Sequence, residues 1–218
     1  KLAHEIKNPL TPIQLTIDNL RSKYLKNFEE TDKNKFKSNL NIILNQIKQI
    51  ENLVNEFSDF ARMPKPILKD NDLVKIIREN IQLLSQIDKT IKLNFTSNKS
   101  NVLLGSDKEQ MNRVIFNLIK NSIESIQQKA ENSSDFDKII TIEIFEKNNQ
   151  ISVIIVDNGV GFGVFKNNVN EILNPYVTTK KNGTGLGLSI VNKIINDHNG
   201  KLNFISIQNG AKVEIIFN

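Results

Sequence analysis

A histidine, a glutamate and an asparagine lie within five residues near the start of the chain, in the stretch KLAHEIKNPLTPIQL. They are His4, Glu5 and Asn8, and Pro9 follows directly. Histidine titrates near neutral pH, so its uncharged ring nitrogen is available as a nucleophile or a base under physiological conditions. The alternative is an exposed histidine without a chemical role. The choice between the two depends on what the rest of the chain contains.

Two asparagines, Asn117 and Asn121, lie in SDKEQMNRVIFNLIKNSIESIQQ, which we predict to be one long helix. Ser106 and Glu109 have the spacing of a capping box at its start. Residues four apart share one face of a helix. Two amides on one face can bind Mg²⁺ through a carbonyl oxygen and orient phosphate oxygens. Two asparagines that only face solvent are the alternative.

The segment DNGVGF follows an apolar stretch that is broken only by Ser152, which predicts a buried strand ending in a carboxylate. Asp157 is then placed to accept a hydrogen bond from an exocyclic amine, such as that of adenine. Gly159 and Gly161 allow a flat ring to approach the backbone closely. An ordinary glycine-rich turn is the alternative interpretation.

Three glycines, Gly183, Gly185 and Gly187, stand in NPYVTTKKNGTGLGLSIV directly ahead of a predicted helix from about 186 to 198. Free N–H groups at a helix start bind phosphates, and Lys180 and Lys181 add positive charge. The aperiodic stretch 163–183 has the length of an active-site lid. Neither GxxxxGK[ST] nor a GxGxxG after a first strand occurs, which excludes the common nucleotide-binding folds that depend on those motifs.

The elements that must position these residues fall into two halves. The first half carries apolar residues every seven positions on two helices separated by NFEETDKN, which predicts an antiparallel helical hairpin. The series are Ala3, Leu10, Ile17 and Tyr24; Ile6, Ile13 and Leu20; Phe36, Ile43, Ile50 and Phe57; and Leu40, Ile47, Val54 and Ala61. One hairpin buries such a stripe poorly, so we expect a homodimeric four-helix bundle. A monomeric hairpin packed on the rest of the chain is the alternative.

Pro64 and Pro66 end the second helix and mark a boundary. Beyond it, a predicted helix over 73–84, short strands in IKLNF and NVLL, and hairpins turning at 148–149 and 209–210 indicate an α+β two-layer sandwich, with a mixed sheet covered on one face by helices. We therefore predict a helical domain at 1–62, a linker at 63–71 and a second domain at 72–218.

The composition narrows the classes of chemistry. The 218 residues include no cysteine and two histidines, which excludes thiolate chemistry and argues against a histidine-rich zinc site. No apolar run is long enough for a membrane span, and we expect no signal peptide. The net charge of +5 comes from dispersed lysines, so we expect no direct contact with nucleic acid. The absence of an initiator methionine predicts that this is a piece of a longer protein.

The motifs NLIKNSIES, DNGVGF, NPYVTTK and GTGLGLSIV resemble, in order and spacing, the N, G1, F and G2 boxes of the sensor histidine kinases. AHEIKNPLTPIQL resembles their H box. The segments HEIKNPLTPIQL and PYVTTK are most similar in sequence to the NtrY-type nitrogen-regulation sensors. The second half also resembles the wider superfamily of gyrase, Hsp90 and MutL ATPases. The resemblance covers nearly the whole chain.

The resemblance implies a histidine phosphotransfer hairpin followed by a Bergerat-type ATP-binding domain that uses ATP and Mg²⁺. It makes His4 the phosphoacceptor, Glu5 its acid/base partner, and Asn8 a residue that supports removal of phosphate from the partner. It implies that Asp157 reads adenine and that Asn121 is the Mg²⁺ ligand. The implied nucleotide contacts also include Asn117, Lys120, Gly159, Gly161, Tyr176, Thr179, Lys180, Gly183, Thr184, Gly185, Leu186 and Gly187.

Two positions depart from the related proteins. Asn117 stands where the ATPases of the superfamily carry a glutamate base, and an amide cannot take a proton from water. This favours a transferase over an ATPase. Position 122 is alanine in most of the family and Ser122 here, a change that we expect to be harmless.

The expected activity is autophosphorylation of His4, transfer to an aspartate of a response-regulator receiver domain, and removal of phosphate from that regulator. The alternative is a phosphatase-dominant or non-catalytic regulator that retains ATP binding. We expect this part to be cytoplasmic, without membrane contact, and the parent protein to lie in the bacterial inner membrane.

Overall fold

The computed structural model describes residues 2–24, 30–133, 135–165, 169–178, 180 and 183–218, with the backbone alone at 2–8, 30, 31 and 164. The chain divides into two compact units, one of residues 1–63 with 179–184 and one of residues 64–178 with 185–218. The boundary therefore falls at Met63–Pro64, where the proline pair was expected to end the second helix. The assignment of separate functions to the two segments stays a prediction.

Among the described α-helices and strands, the elements follow one another in the order that the sequence predicts, with one addition. The helices are α1 (Leu2–Tyr24), α2 (Glu30–Ala61), α3 (Leu73–Leu84), α4 (Lys108–Ala130) and α5 (Gly187–Asp197). The strands are β1 (Lys69–Asp72), β2 (Lys92–Ser97), β3 (Leu103–Ser106), β4 (Ile139–Lys147), β5 (Gln150–Asp157), β6 (Lys201–Ser206) and β7 (Ala211–Phe217). None of the described helices has the length and apolarity that crossing a membrane requires.

The first unit is a hairpin of α1 and α2 whose apolar seam is only half covered. Its buried core consists of Leu10, Ile17, Leu40 and Ile47, with Phe36 and Leu44 packed against it. Val54 is buried as well. Six other predicted seam positions lie open, with Ile43 45% exposed. These exposed members are Ile13, Leu20, Tyr24, Ile43, Ile50 and Phe57. The heptad pattern thus describes two stripes, of which the hairpin itself buries one.

The addition is β1, which forms within the predicted linker. It pairs antiparallel with β3, from Lys69 opposite Ser106 to Asp72 opposite Leu103. Charged and amide residues dominate KDND, so its composition gave no strand signal. The predicted strand NVLL is therefore present as β3, in a two-stranded sheet with β1 rather than in the main sheet.

In the described part of the second unit, the main sheet has five strands in the order β2-β4-β5-β7-β6. The β2–β4 pair is parallel and the other neighbours are antiparallel. Strands β4, β5 and β7 alternate between buried and half-buried residues, which is the pattern of a sheet with one covered face. Helices α3, α4 and α5 contact the sheet strands, and their apolar faces complete the core. This confirms the predicted two-layer sandwich.

Two turns join sheet strands next to each other in the chain. Asn148 and Asn149, the predicted turn between β4 and β5, both have positive φ, at 52° and 62°, as a type I′ turn requires. The β6–β7 turn is longer than its predicted pair of residues, because Ser206 pairs with Ala211 and leaves 207–210 between the strands. Gly210 has φ 108° there.

The start of α4 corrects the predicted capping box. Asp107 is the N-cap, and its carboxylate accepts from the N–H groups of Glu109 and Gln110, both at 3.1 Å. Ser106 instead ends β3 and donates its hydroxyl to the Leu104 carbonyl. Aspartate is as good an N-cap as serine. Because Ser106 pairs with Lys69 in the strand ladder, the next residue, Asp107, caps the helix.

Candidate functional site

The core of the candidate site is the carboxylate of Asp157, the last residue of the central strand β5. It is 5% exposed. One carboxylate oxygen accepts from the Gly159 N–H at 3.0 Å and from the Ser125 hydroxyl at 3.3 Å. On the other side, Asp157 stands opposite Ala211 in the ladder between β5 and β7. The end of β5 is thus tied to α4 on one side and to the start of β7 on the other.

Burial raises the pKa of the Asp157 carboxyl above its ordinary value. The hydrogen bonds from Gly159, Ser122, Ser125 and Ala211 lower the pKa, but they do not outweigh the burial. A buried carboxylate with a raised pKa at the end of a strand is typical of a binding or catalytic site rather than of a fold-stabilising ion pair.

The glycines after Asp157 permit close backbone packing. A Cβ on Gly159 would lie 2.5 Å from the backbone carbon of Ser125. Gly161 has φ +69°, and a Cβ there would lie 2.6 Å from the Gly210 carbonyl oxygen. The glycine-rich segment therefore packs directly against α4 and the β6–β7 turn, and the predicted approach of a ligand to its backbone stays a prediction.

A second group of predicted residues gathers at the start of α5. Gly185 has φ +70°, and its carbonyl accepts from the Tyr176 N–H at 3.1 Å. Leu186 is fully buried and precedes the first helical residue, Gly187. A Cβ on Gly187 would lie 3.9 Å from Oδ1 of Asn117. The structure thus brings an amide of α4 to the N-terminus of α5, where free N–H groups favour anions.

The remaining α4 residues lie along the same helix. Asn121 is one turn beyond Asn117, and both are half-buried. Lys120 is exposed and lies 3.8 Å from Glu124, a surface pair four residues apart. Its predicted nucleotide contact stays a prediction.

The predicted residues of the stretch 179–184 group with the first unit. The Thr184 hydroxyl donates to the Glu56 carboxylate of α2. Gly183 closes a turn by donating to the Lys180 carbonyl at 3.2 Å. Thr179 and Lys181 lie outside the described residues. Their predicted nucleotide contacts, like the predicted lid, stay predictions.

The predicted phosphoacceptor lies in the first turns of α1. His4, Glu5 and Asn8 belong to the helix Leu2–Tyr24, and their side chains lie outside the described part. Pro9 and Pro12 are both inside α1. The helix nevertheless continues, and the Thr16 hydroxyl donates to the Pro12 carbonyl at 2.8 Å.

Sequence reasoning missed the serine contacts to Asp157. Ser125 lies four residues after Asn121, so Asn117, Asn121 and Ser125 continue one line along α4. That spacing was the available signal. It also missed His198, a buried residue whose Nε2 accepts from the Asp107 N–H at 3.0 Å, while Nδ1 lies 2.8 Å from the Ile194 carbonyl oxygen.

Two family models match the chain. Residues 106–218 match the model of histidine kinase-, DNA gyrase B- and HSP90-like ATPases, and residues 1–66 match the His kinase A phosphoacceptor domain. The chain belongs to the histidine kinase family. The order of the two matches is the order that the H, N, G1, F and G2 boxes predicted.

Sequence relatives place this histidine kinase core nearest to the NtrY type, as predicted. It is 36% identical over 218 residues to an NtrY-like sensor histidine kinase of Rickettsia prowazekii, covering 100% of this chain and 35% of that protein. It is 33% identical over 210 residues to the nitrogen regulation protein NtrY of Azorhizobium caulinodans, covering 92% and 25%. The chain therefore spans about a third of the first of these relatives and a quarter of the second.

Solved structures support the same fold. The histidine kinase ThkA, in a crystal structure with the response regulator protein TrrA, matches with a TM-score of 0.69 and 25% identity, over 99% of this chain and 59% of that one. The catalytic domain of ThkA matches 69% of this chain and 95% of its own, with a TM-score of 0.59 and 26% identity. Full-length ShkA, in complex with AMPPNP, matches the fold with a TM-score of 0.72 at 18% identity.

Proposed function

We propose that this chain is the catalytic core of a two-component sensor kinase, which transfers the γ-phosphoryl group of ATP to His4 and then to an aspartate of a response regulator. The observation that carries this proposal is the buried Asp157 carboxylate beside a glycine-packed backbone, with an amide of α4 facing the start of α5. That arrangement offers one site for an amine-bearing base and another for phosphates. The match to the His kinase A phosphoacceptor domain supports a histidine of the first unit as the residue that receives the phosphoryl group.

Asp157 holds the adenine base. Its carboxylate accepts a hydrogen bond from the exocyclic amine, and the close packing at Gly159 and Gly161 leaves bare backbone for the ring. Base recognition by one buried carboxylate is specific, because a ligand without the amine has no donor to offer it.

The start of α5 holds the phosphates. Gly185 and Gly187 keep side chains out of the approach to the helix N-terminus, and N–H groups there stabilise negative charge. The motifs assign Lys180 and Thr179 to the same phosphates.

The residues present fit a magnesium ion that arrives with the nucleotide. Among the described residues, no group of three histidine, cysteine or acidic side chains is arranged to hold a metal. Mg²⁺ characteristically takes one or two protein oxygens and completes its shell with phosphates and water. Asn121 supplies such an oxygen, and Asn117 orients phosphate beside it. The bound ion neutralises charge on the phosphate oxygens.

In the transfer step, a ring nitrogen of His4 attacks the γ-phosphorus. The N–P bond forms, the bond from phosphorus to the bridging oxygen of ADP breaks, and ADP leaves. Glu5 takes the proton that the ring gives up. Phosphoryl transfer needs positioning and charge neutralisation more than covalent help. Because Asn117 is an amide and cannot activate water, the phosphoryl group goes to the histidine instead.

The phosphoryl group then passes to a receiver aspartate, whose carboxylate attacks phosphorus as the N–P bond of phosphohistidine breaks. The ThkA–TrrA structure is of a kinase with its regulator and supports a partner of this kind. Asn8, one turn after His4, supports the opposite activity, in which water removes the phosphoryl group from the regulator. The relatives' sensor names support a membrane-bound parent, with this core on the cytoplasmic side.

The working form is a homodimer. The exposed stripe of α1 and α2 presents large apolar side chains at heptad spacing, including Ile13, Ile43 and Ile50. A second copy of the hairpin covers this stripe and completes a four-helix bundle.

The decisive experiment incubates the chain with Mg²⁺ and γ-labelled ATP. We expect an acid-labile, base-stable label on the protein, as phosphohistidine gives. His4→Gln should abolish the label while nucleotide affinity stays unchanged, which separates the acceptor from the ATP site. Label that persists in His4→Gln would refute the acceptor. A labelled core is then incubated with a receiver domain, and the label should move to it.

A further inference from the structure

We propose that Asn209–Gly210 is a site of spontaneous covalent modification, at which Asn209 loses its side-chain amide as ammonia and becomes aspartate or isoaspartate, and that the isoaspartate form disables nucleotide binding. The modification follows from the chemistry of the β6–β7 turn alone, whereas its effect on the nucleotide rests on the proposed function. The motifs gave this pair no role beyond turning the chain.

The reaction uses groups of the chain itself and solvent. Hydroxide removes the proton of the Gly210 N–H, and the nitrogen then attacks Cγ of Asn209. The new C–N bond closes a succinimide ring, the bond from Cγ to the amide nitrogen breaks, and ammonia leaves. Water opens the ring at either carbonyl, which gives aspartate or isoaspartate. Asparagine is a thermolabile residue, and a following glycine has no Cβ to obstruct the ring.

The structure distinguishes this pair from the other Asn–Gly pairs by the state of the attacking nitrogen. The sequence contains four such pairs, with their glycines at Gly159, Gly183, Gly200 and Gly210. The Gly159 N–H donates to the Asp157 carboxylate at 3.0 Å. The N–H groups of Gly183 and Gly200 donate to the carbonyls of Lys180 and Ile195, at 3.2 and 2.9 Å. In the part of the chain that the structure describes, the Gly210 N–H has no hydrogen-bond partner, so its nitrogen is available.

The side chain under attack differs in the same way. Asn158 is held on both sides, since its Oδ1 accepts from the Ile139 N–H at 3.1 Å and its Nδ2 donates to the Asp137 carbonyl. Asn199 is exposed, but the glycine that follows it is buried. Asn209 is exposed in the turn, and Gly210 is only half-buried. Hydroxide therefore reaches the Asn209–Gly210 pair, and the amide is free to turn toward the nitrogen.

The position of Gly210 makes the modification consequential. A Cβ on Gly210 would overlap the Asp157 carbonyl oxygen and would lie 2.8 Å from Cα of Asn158. On the other side, a Cβ on Gly161 would lie 2.6 Å from the Gly210 carbonyl oxygen. The backbone of Gly210 is thus packed between the end of β5 and the glycine-rich segment, with no space to shift toward either.

Isoaspartate routes the main chain through the former side chain and so adds one carbon before Gly210. The turn cannot absorb this carbon at its ends, because Ser206 and Ala211 are paired in the ladder and fix the residues 207–210 between them. The added length therefore displaces Gly210 against Asp157 and Gly161. Aspartate at the same position adds a charge but leaves the chain length unchanged.

The first measurement follows the reaction without any nucleotide. Wild-type protein is incubated in mildly alkaline buffer, folded or in urea, and peptide mapping by mass spectrometry gives the conversion at each Asn–Gly pair. In the folded protein, conversion at Asn209 should be at least about tenfold faster than at Asn158 and Asn199, because the glycine N–H groups of those two pairs must first leave a hydrogen bond. In urea the three rates should be similar. Asn182 lies outside the described residues, so its pair is left out of this comparison.

The second measurement follows nucleotide binding by calorimetry with Mg²⁺ and the β,γ-imido analogue of ATP. The number of binding sites per chain should fall in proportion to the isoaspartate content at position 209, while the affinity of the remaining sites stays unchanged. Asn209→Gln, whose longer side chain does not form the succinimide ring, should keep its binding through the same incubation. Freshly prepared Asn209→Asp should bind like the wild type, which separates the added charge from the added carbon.

The outcomes separate the modification, its effect and the ATP site. Conversion at Asn158 or Asn199 as fast as at Asn209 in the folded protein would overturn the modification site. A constant number of binding sites while isoaspartate accumulates, or an equal loss of binding in Asn209→Gln, would overturn the effect on the nucleotide. Fresh wild-type protein that binds no analogue would overturn the proposed ATP site and that effect, and the peptide map would still decide the modification.

Discussion

Gly185→Ala tests whether the start of α5 is shaped for close backbone approach. At φ +70°, the left-handed conformation costs a residue with a Cβ about 1–2 kcal/mol. The new Cβ would also lie 2.5 Å from the Tyr176 carbonyl carbon and 2.7 Å from its Cα. Because these are backbone atoms, no rotamer change relieves the overlap, and overpacking of this kind costs roughly 1–3 kcal/mol. The total is about 2–5 kcal/mol.

Gly163→Ala is the matched control. Gly163 has φ +52°, but nothing lies within 4 Å of its Cβ position, so this variant pays only the conformational cost of about 1–2 kcal/mol. The difference between the two variants isolates the overlap with Tyr176.

The free-energy cost of Gly185→Ala can reduce the stability of the fold, the affinity for nucleotide, or both. If the loop stays in place, the strain lowers the free energy of unfolding of the second unit. If the loop moves away from Tyr176, closure on the nucleotide must restore the strain, and 1–3 kcal/mol weakens binding by about 5- to 150-fold. Calorimetric nucleotide affinity and thermal unfolding of the same samples therefore have to be read together. Gly185→Ala indistinguishable from Gly163→Ala in both measurements would refute this reasoning.

Three further predictions follow from the α4 cap and the hairpin. Asp107→Ala should destabilise α4 by about 2 kcal/mol, through loss of a helix cap and of the 3.0 Å bond from the Ile67 N–H. Hydrogen exchange of α4 amides measures this, with exposed Asp70→Ala as the unchanged control. Burial raises the pKa of the Asp107 carboxyl, but the N–H bonds from Ile67, Gln110 and Glu109 outweigh it and set the pKa below its ordinary value. Its stabilisation should therefore be complete above about pH 4 and be lost as pH falls through the lowered pKa, a loss that Asp107→Asn should not show. Ile43→Ser combined with Ile50→Ser should convert the proposed dimer to a monomer in light scattering, whereas Leu83→Ser, which is even more exposed at 61% but lies outside the hairpin, should not.

The fold followed from the sequence wherever one element showed its own period. The heptads of the hairpin, the alternation in β4 and β5 and the Asn148–Asn149 turn are local signals, because each depends on residues a few positions apart. The misses depended on pairing between distant segments. KDND becomes β1 only because β3 offers it a partner across some thirty residues, and that pairing also ends β3 at Ser106 and gives the cap to Asp107.

The candidate site divides in the same way. Asp157 and the glycines were visible as motifs, since their chemistry resides in residue type and local spacing. The donors that control Asp157 were not visible, because Ser125 lies 32 positions before it and Ala211 belongs to the last strand. Ser122 shows the consequence most directly. As a departure from the family pattern it looked harmless, since a hydroxyl adds little volume to a helix face. Ser122 is buried, and its hydroxyl lowers the pKa of the Asp157 carboxyl, so its effect depends on its neighbours rather than on its size.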